Sequence, residues 1–169
     1  FCFVQQPAPR TIHAPVPYKE VLLKIYESLG VAVTVAERSG SAFDQSSTAI
    51  KVNDRGYGTI QFERIGPNAA IELEQALRDV RALGARSVQL AAPIGDPGLP
   101  LLTDAARRLG LFFCGLGPAF ADGADLFLLQ MLTEPLDTGK LQLFADRTKE
   151  LVAFIDHDRR ETSAGRSAG

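Results

Sequence analysis

Nucleophiles, bases and metal ligands are scarce in this sequence, and their spacing excludes most of the chemistry they could do. The two cysteines, Cys2 and Cys114, and the two histidines, His13 and His157, are scattered along the chain. Metal sites gather such residues at short, regular intervals; nothing here does, and no metal is expected. Cys114 follows Phe112 and Phe113 in an apolar run, where a thiol packs as a small hydrophobe rather than serving as a nucleophile. His157 stands between Asp156 and Asp158, but neighbours one apart on a helix point in different directions. It reads as a helix-end histidine favoured by the macrodipole. Gly115-Leu116-Gly117-Pro118 lacks the strand–loop–helix setting of a dinucleotide motif and reads as a turn. Gly95-Asp96-Pro97-Gly98 is turn chemistry as well. It lies past an apolar strand, at the end where α/β ligands tend to dock. Glu63 closes another strand and, as a lone carboxylate, faces solvent.

These residues are held by 169 positions, of which 46% are hydrophobic and 22% charged, the balance of one globular domain. Lys and Arg number 18 against 20 Asp and Glu, for a net charge of −2; that is no footprint for nucleic acid. The longest nearly uncharged stretch, Leu109 to Ala121, is broken by glycines and a proline and falls short of the ~20 apolar residues of a membrane helix. Cysteine usage suits a reduced, cytoplasmic setting. Phe1-Cys2-Phe3-Val4 opens the chain as an apolar strand without a preceding turn, and is read as the end of an upstream domain of the same polypeptide. Residues 1–17 are then that end plus a proline-rich, extended connector; residues 18–160 form the domain, and 161–169 a mobile polar tail.

Helices are expected over Tyr18–Leu29, Asn68–Leu83, Leu99–Leu109 and Leu141–Asp158, from apolar residues in helical phase. Gly30, Gly84 and Gly110 stop the first three, and Asn68 caps the second. Strands are expected at Val31–Val35, Ser87–Ile94, Leu111–Leu116 and Asp125–Leu132, with a hairpin over Thr48–Arg64 that turns at Asp54-Arg55-Gly56. The result is a mixed α/β layered domain.

This order resembles the GNAT N-acetyltransferase superfamily over Tyr18 to Thr133. Its most specific piece is Ala105-Ala106-Arg107-Arg108-Leu109-Gly110-Leu111-Phe112-Phe113, similar to that family's A-x-x-x-x-G-F helix-to-strand junction, with Leu111 in place of the aromatic. A narrower likeness, in Thr11–Pro15, Tyr18–Gly30, Gly110–Gly115 and Asp125–Gln130, is to bacterial multidomain proteins. There a GNAT-like C-terminal unit follows another GNAT-like region, and some members carry an anti-sigma-factor-type ATPase module. The resemblance implies a mixed central sheet of about six strands with helices on both faces and an extra C-terminal helix. It also implies a parallel pair, the strands bearing Ile60 and Leu90, that splays into a V-shaped cleft.

In that family the pyrophosphate of acetyl-CoA rests on an [RQ]-x-x-G-x-[GA] loop, whose amides at a helix N-terminus make an anion site. The corresponding residues are Arg64, Ile65, Gly66, Asn68 and Ala69, and they depart from the pattern. Gly66 comes one position early, no second glycine follows, and Pro67 removes an amide donor. The tyrosine general acid expected four residues before Gly110 is Ala106. Glu63 is where some members keep a base that deprotonates an amine. The reading is a regulatory, ligand-sensing or interaction domain that binds acetyl-CoA weakly or not at all. The alternative is an active acetyltransferase with a non-standard loop. The C-terminal helix carries an apolar stripe through Phe144, Leu151 and Ile155 that must be buried on its own sheet, on the upstream domain or in a homo-oligomer.

Overall fold

A computed structural model describes residues 8–37, 40–121, 123–133, 137 and 142–166. Phe1–Val4 lies outside them. In chain order the elements are β1 (Arg10–Ile12), a single 3-10 turn (Val16–Tyr18), α1 (Lys19–Ser28), β2 (Val33–Val35), β3 (Ser47–Val52), β4 (Tyr57–Arg64), α2 (Ala69–Ala82), β5 (Ser87–Pro93), α3 (Leu99–Arg108), β6 (Phe112–Ala121), β7 (Ala124–Leu132) and α4 (Asp146–Arg166). α1, α2 and α3 end alike. The glycine after each C-cap has positive φ, 67° at Gly30, 89° at Gly84 and 88° at Gly110, and its neighbour's amide bonds back to the last turn. This is the Schellman arrangement that a C′ glycine permits.

The main sheet has the order β3-β4-β5-β7-β6. β4 and β5 run parallel and pair from Tyr57–Ser87 to Gln61–Ala91, and every other neighbouring pair is antiparallel. Beyond Gln61 and Ala91 the two strands part, β4 staying with β3 and β5 with β7. That is the splay expected of the strands bearing Ile60 and Leu90. The strand expected at Val31–Val35 is absent from this sheet. β2 instead pairs in parallel with β1 to make a two-stranded sheet of its own, because α1 returns the chain to a segment already extended by its prolines. The His13 amide bonds the Ile94 carbonyl at 2.9 Å and docks the end of β1 on the end of β5. β6 outruns its expected end at Leu116. Two register irregularities and its place at the sheet edge accommodate Gly115, Gly117 and Pro118.

Ile60, Phe62, Val88, Leu90, Phe113, Phe127 and Leu129 from the sheet share one buried cluster with side chains of α1, α2 and α3. α4 starts at Asp146 rather than Leu141, leaving Phe144 ahead of it and 91% exposed; residue 141 itself is outside the described set. The helix also continues to Arg166, into the 161–169 stretch expected to be a mobile tail. Ion pairs one turn apart, Asp156 with Arg159 and Arg160, carry it onward, and His157 Nε2 lies 3.4 Å from the Glu161 carboxylate. Its Leu151, Phe154 and Ile155 pack against the domain's own core.

One carboxylate fastens α4. Asp158, buried, accepts the Tyr18 hydroxyl at 2.8 Å, the Phe113 amide at 2.7 Å and the Arg107 guanidinium. Arg107 also donates to the Tyr18 oxygen at 2.5 Å and lies over its ring. Tyr18, Phe113, Phe127 and Phe154 meet at centroid distances of 5.3 to 6.2 Å, within the range of favourable aromatic pairs. Replacing Asp158 by Ala takes the acceptor from the Phe113 amide and the Tyr18 hydroxyl and leaves Arg107 with Glu161, 3.3 Å away, as its remaining carboxylate. Removing one partner of a buried pair costs about 3–5 kcal/mol, and the low end is expected because Arg107 keeps 20% of its side chain in solvent. Urea unfolding measures the loss; a value under about 1 kcal/mol would show that α4 is anchored elsewhere.

Candidate functional site

The open end of the β4/β5 splay brings together the β4–α2 loop, the turn after β5 and the segment that precedes β3. Arg64, Ile65, Gly66, Asn68 and Ala69 lie in this loop, where the Ile65 and Gly66 amides and the Asn68 side chain are bonded within the protein. The Ile65 amide donates to Asp96 Oδ2 at 3.1 Å, and the other oxygen of that carboxylate takes the Gly98 amide at 2.8 Å. The Gly66 amide donates to Ser46 Oγ at 2.9 Å. Ser41 Oγ donates to the Ile65 carbonyl at 2.9 Å, and the Gly40 amide bonds the Pro97 carbonyl at 2.9 Å. A strap made of Gly40–Ser46 thus lies across the loop and ties it to the turn after β5.

Two glycines make this closeness feasible. A Cβ on Gly66 would fall 2.6 Å from the Ser46 nitrogen, and one on Gly98 would fall 2.7 Å from Ile65 Cγ2. Ile65 is fully buried as a result. Asn68 stands at the start of α2 but makes no side-chain cap there, contrary to expectation. Its Oδ1 instead accepts the Ser46 amide at 2.8 Å while its amide group donates to Glu72 at 3.2 Å. The strap has claimed the oxygen that a cap requires.

Glu63 is exposed at the end of β4, where it accepts Ser47 Oγ at 3.1 Å. Arg64 turns outward and lies 5.8 Å from the Phe43 ring centroid. Ala106 is fully buried within α3. Two of the three tyrosines are engaged elsewhere. Burial, reinforced by the charge of Asp158, holds the Tyr18 phenol well above its ordinary range. Burial and a 2.8 Å bond to Asp125 do the same for Tyr26. Asp125 also accepts the Ala119 amide at 2.9 Å and pairs with Arg10 at 3.4 Å. Cys114 sits half-buried on β6, and burial pushes its thiol up to about 11. Among the described residues no group of His, Cys, Asp or Glu could hold a metal, and no helix is long and apolar enough to cross a membrane.

Asp96, Ser41 and Ser46 are the members of this site that residue-by-residue reading did not single out. Asp96 had one signal, its place in the turn after the central strand; the serines had none beyond lying in a Ser/Gly-rich loop.

The splayed parallel pair is that expected from the resemblance, and the central sheet has five strands rather than about six. In that pair the architecture resembles the GNAT fold. No protein-family model matches the chain, and no curated protein does. Solved structures of similar shape include nourseothricin acetyltransferase, at 19% identity and a TM-score of 0.39 over 51% of this chain. The match spans 56% of that protein. Another is a candidate acetyltransferase from Agrobacterium tumefaciens, at 13% identity and a TM-score of 0.32, over 68% of this chain and 87% of that one.

Two outcomes check this geometry. Gly66→Ala and Gly98→Ala should each cost about 1–3 kcal/mol, the range for forcing atoms into a packed site, read as a lowered urea midpoint with an unchanged slope. Neutral behaviour in both would mean that the strap and the turn yield freely. Cys114, with its thiol kept protonated, should react with iodoacetamide at pH 8 at least tenfold more slowly than a free thiol of pKa about 8.5. Alkylation at the free-thiol rate would contradict its environment.

Proposed function

We infer that this chain is a GNAT-fold regulatory, ligand-sensing or interaction domain of a larger protein, one that no longer transfers acetyl groups. The observation that carries this reading is the state of the loop amides. An anion site at a helix N-terminus works because its N–H groups are free to point at the ligand. Here the Ile65 and Gly66 amides are spent on Asp96 and Ser46, and Pro67 has none to offer. The residues present do not fit a pyrophosphate. An incoming phosphate would have to displace a buried carboxylate, and until it did the two negative charges would repel one another. Charge-assisted hydrogen bonds contribute roughly 1.5–3 kcal/mol each, so losing two or three removes enough affinity to leave millimolar binding. The absence of a phenol at Ala106 points the same way.

Glu63 supports the second reading, an acetyltransferase with an unusual loop. Its carboxylate is exposed on the splayed strand and would be placed to take a proton from an amine. That reading further requires the Gly40–Ser46 strap to lift.

Calorimetry with acetyl-CoA separates the two. Binding in the millimolar range or none is expected; a saturable micromolar isotherm overturns the proposal and favours the enzyme.

A further inference from the structure

The Gly40–Ser46 strap and the layer beneath it are held by different forces. Every strap residue from Gly40 to Gln45 is exposed, and Ser46 is half-buried. Phe43, its one large apolar side chain, keeps 38% of its surface in solvent beside Arg64. Beneath the strap, Ile65 and Gly98 are buried, and both their amides are bound by the buried Asp96 carboxylate. Apolar burial is the dominant favourable term in folding, and the strap has almost none of it.

Hydrogen bonds at its two ends hold the strap instead. At one end the Gly40 amide bonds the Pro97 carbonyl and Ser41 Oγ bonds the Ile65 carbonyl, both at 2.9 Å. At the other, Ser46 supplies both partners. Its amide donates to Asn68 Oδ1 at 2.8 Å, and its hydroxyl oxygen accepts the Gly66 amide at 2.9 Å. Water can replace each of these bonds when the strap lifts, so each contributes only modestly. The Asn68 oxygen has a second outlet as well. It stands where α2 begins, a place where an asparagine side chain is favoured as a cap, and only the strap keeps it from that task. An oxygen with two mutually exclusive partners is a two-state element.

We propose that Gly40–Ser46 is a latch that opens as a unit while the rest of the protein stays folded. Its base, Asp96 with the Ile65 and Gly98 amides, stays shut. Opening uncovers the Ile65 carbonyl, the Gly66 amide and the Asn68 carboxamide, and a ligand that reaches them only in the open form shifts the population toward it. The latch is then the moving part of the sensing domain, a use that rests on the reading above; the motion itself does not. Pyrophosphate gains little from it, because the Ile65 amide remains on Asp96 and Pro67 has none.

Native-state hydrogen exchange of the whole chain, followed residue by residue by NMR across low urea concentrations, is the test. The Gly40, Ser46 and Gly66 amides should share one opening equilibrium, roughly a hundredfold more open than that of Ile65 and Gly98. It should depend little on urea, because little surface is exposed. The Ile65 and Gly98 amides should exchange only through global unfolding, at its full urea slope. Ser41→Ala removes a tie at the far end of the strap from Ser46 and Gly66. It should nevertheless speed exchange at both by one common factor, about threefold or more, the loss of one modest hydrogen bond. Exchange of Ser46 and Gly66 only at the global slope, unequal opening of the strap's two ends, or a Gly66 rate that Ser41→Ala leaves unchanged would each overturn the latch. Ile65 and Gly98 opening together with the strap would overturn the fixed base. Acetyl-CoA calorimetry on the same samples judges the parent reading separately. A micromolar isotherm removes the non-catalytic interpretation whatever the exchange pattern, and a failed latch beside silent calorimetry removes only the latch.

Discussion

Two parallel strands that diverge leave backbone groups facing each other across a gap, and a buried polar group without a partner costs about 1–3 kcal/mol. Asp96 resolves that constraint here. One oxygen takes an amide from the loop after β4, and the other takes the amide of Gly98 as α3 begins. The cleft that the splay would otherwise hold open is thereby closed from within. Everything near it follows: Gly98 must lack a Cβ to let Ile65 in, Gly66 must lack one to let the strap down, and Asn68 gives up its cap to hold the strap's end. The arrangement is self-satisfied in hydrogen bonding, and a set of amides satisfied by the protein's own carboxylate has little left to offer an outside anion.

At the β6 edge of the sheet a second buried carboxylate has the converse task. Asp158 gathers an edge-strand amide, a phenol and a guanidinium, so that α4 covers an edge which would otherwise present unpaired backbone groups. The same attachment seats Leu151 and Phe154, which wall a cleft between α1, α4 and β6, since both lie on the helix that Asp158 holds in place. The two carboxylates divide the molecule into an end that is sealed and an end that stays partly open.

What could be read from the sequence was local or periodic. Glycines at Gly30, Gly84 and Gly110 end helices because only residues a few positions away decide it. The hairpin shows in alternation about Asp54-Arg55-Gly56, and the parallel Ile60–Leu90 pair came with the family resemblance. What escaped depended on distance. Nothing in Val31–Val35 says that it pairs with Arg10–Ile12 rather than with the main sheet, because three residues of strand carry too little pattern to choose a neighbour. The departures of Pro67 and Ala106 from the GNAT pattern were legible, but the side chains that occupy the site instead, Asp96 and Ser46, come from loops whose composition fits any turn. Asn68 looked like a cap because the rule concerns one helix, whereas its oxygen was claimed by a segment 22 positions earlier.

The bond between Tyr18 and Asp158 spans 140 positions, and that separation governs how the protein can come into being. Closing contacts so far apart is slow, because most of the chain must be gathered before they contribute. On a ribosome, residues 10–133 have all been made before Asp158 exists, and during that interval the aromatic cluster lacks Phe154 and the β6 edge lacks its cover. The five-stranded sheet can assemble first, but its final side closes only as the last helix arrives. Until α4 is made, the β6 edge and the aromatic cluster lack their cover, the kind of exposed surface that chaperones hold.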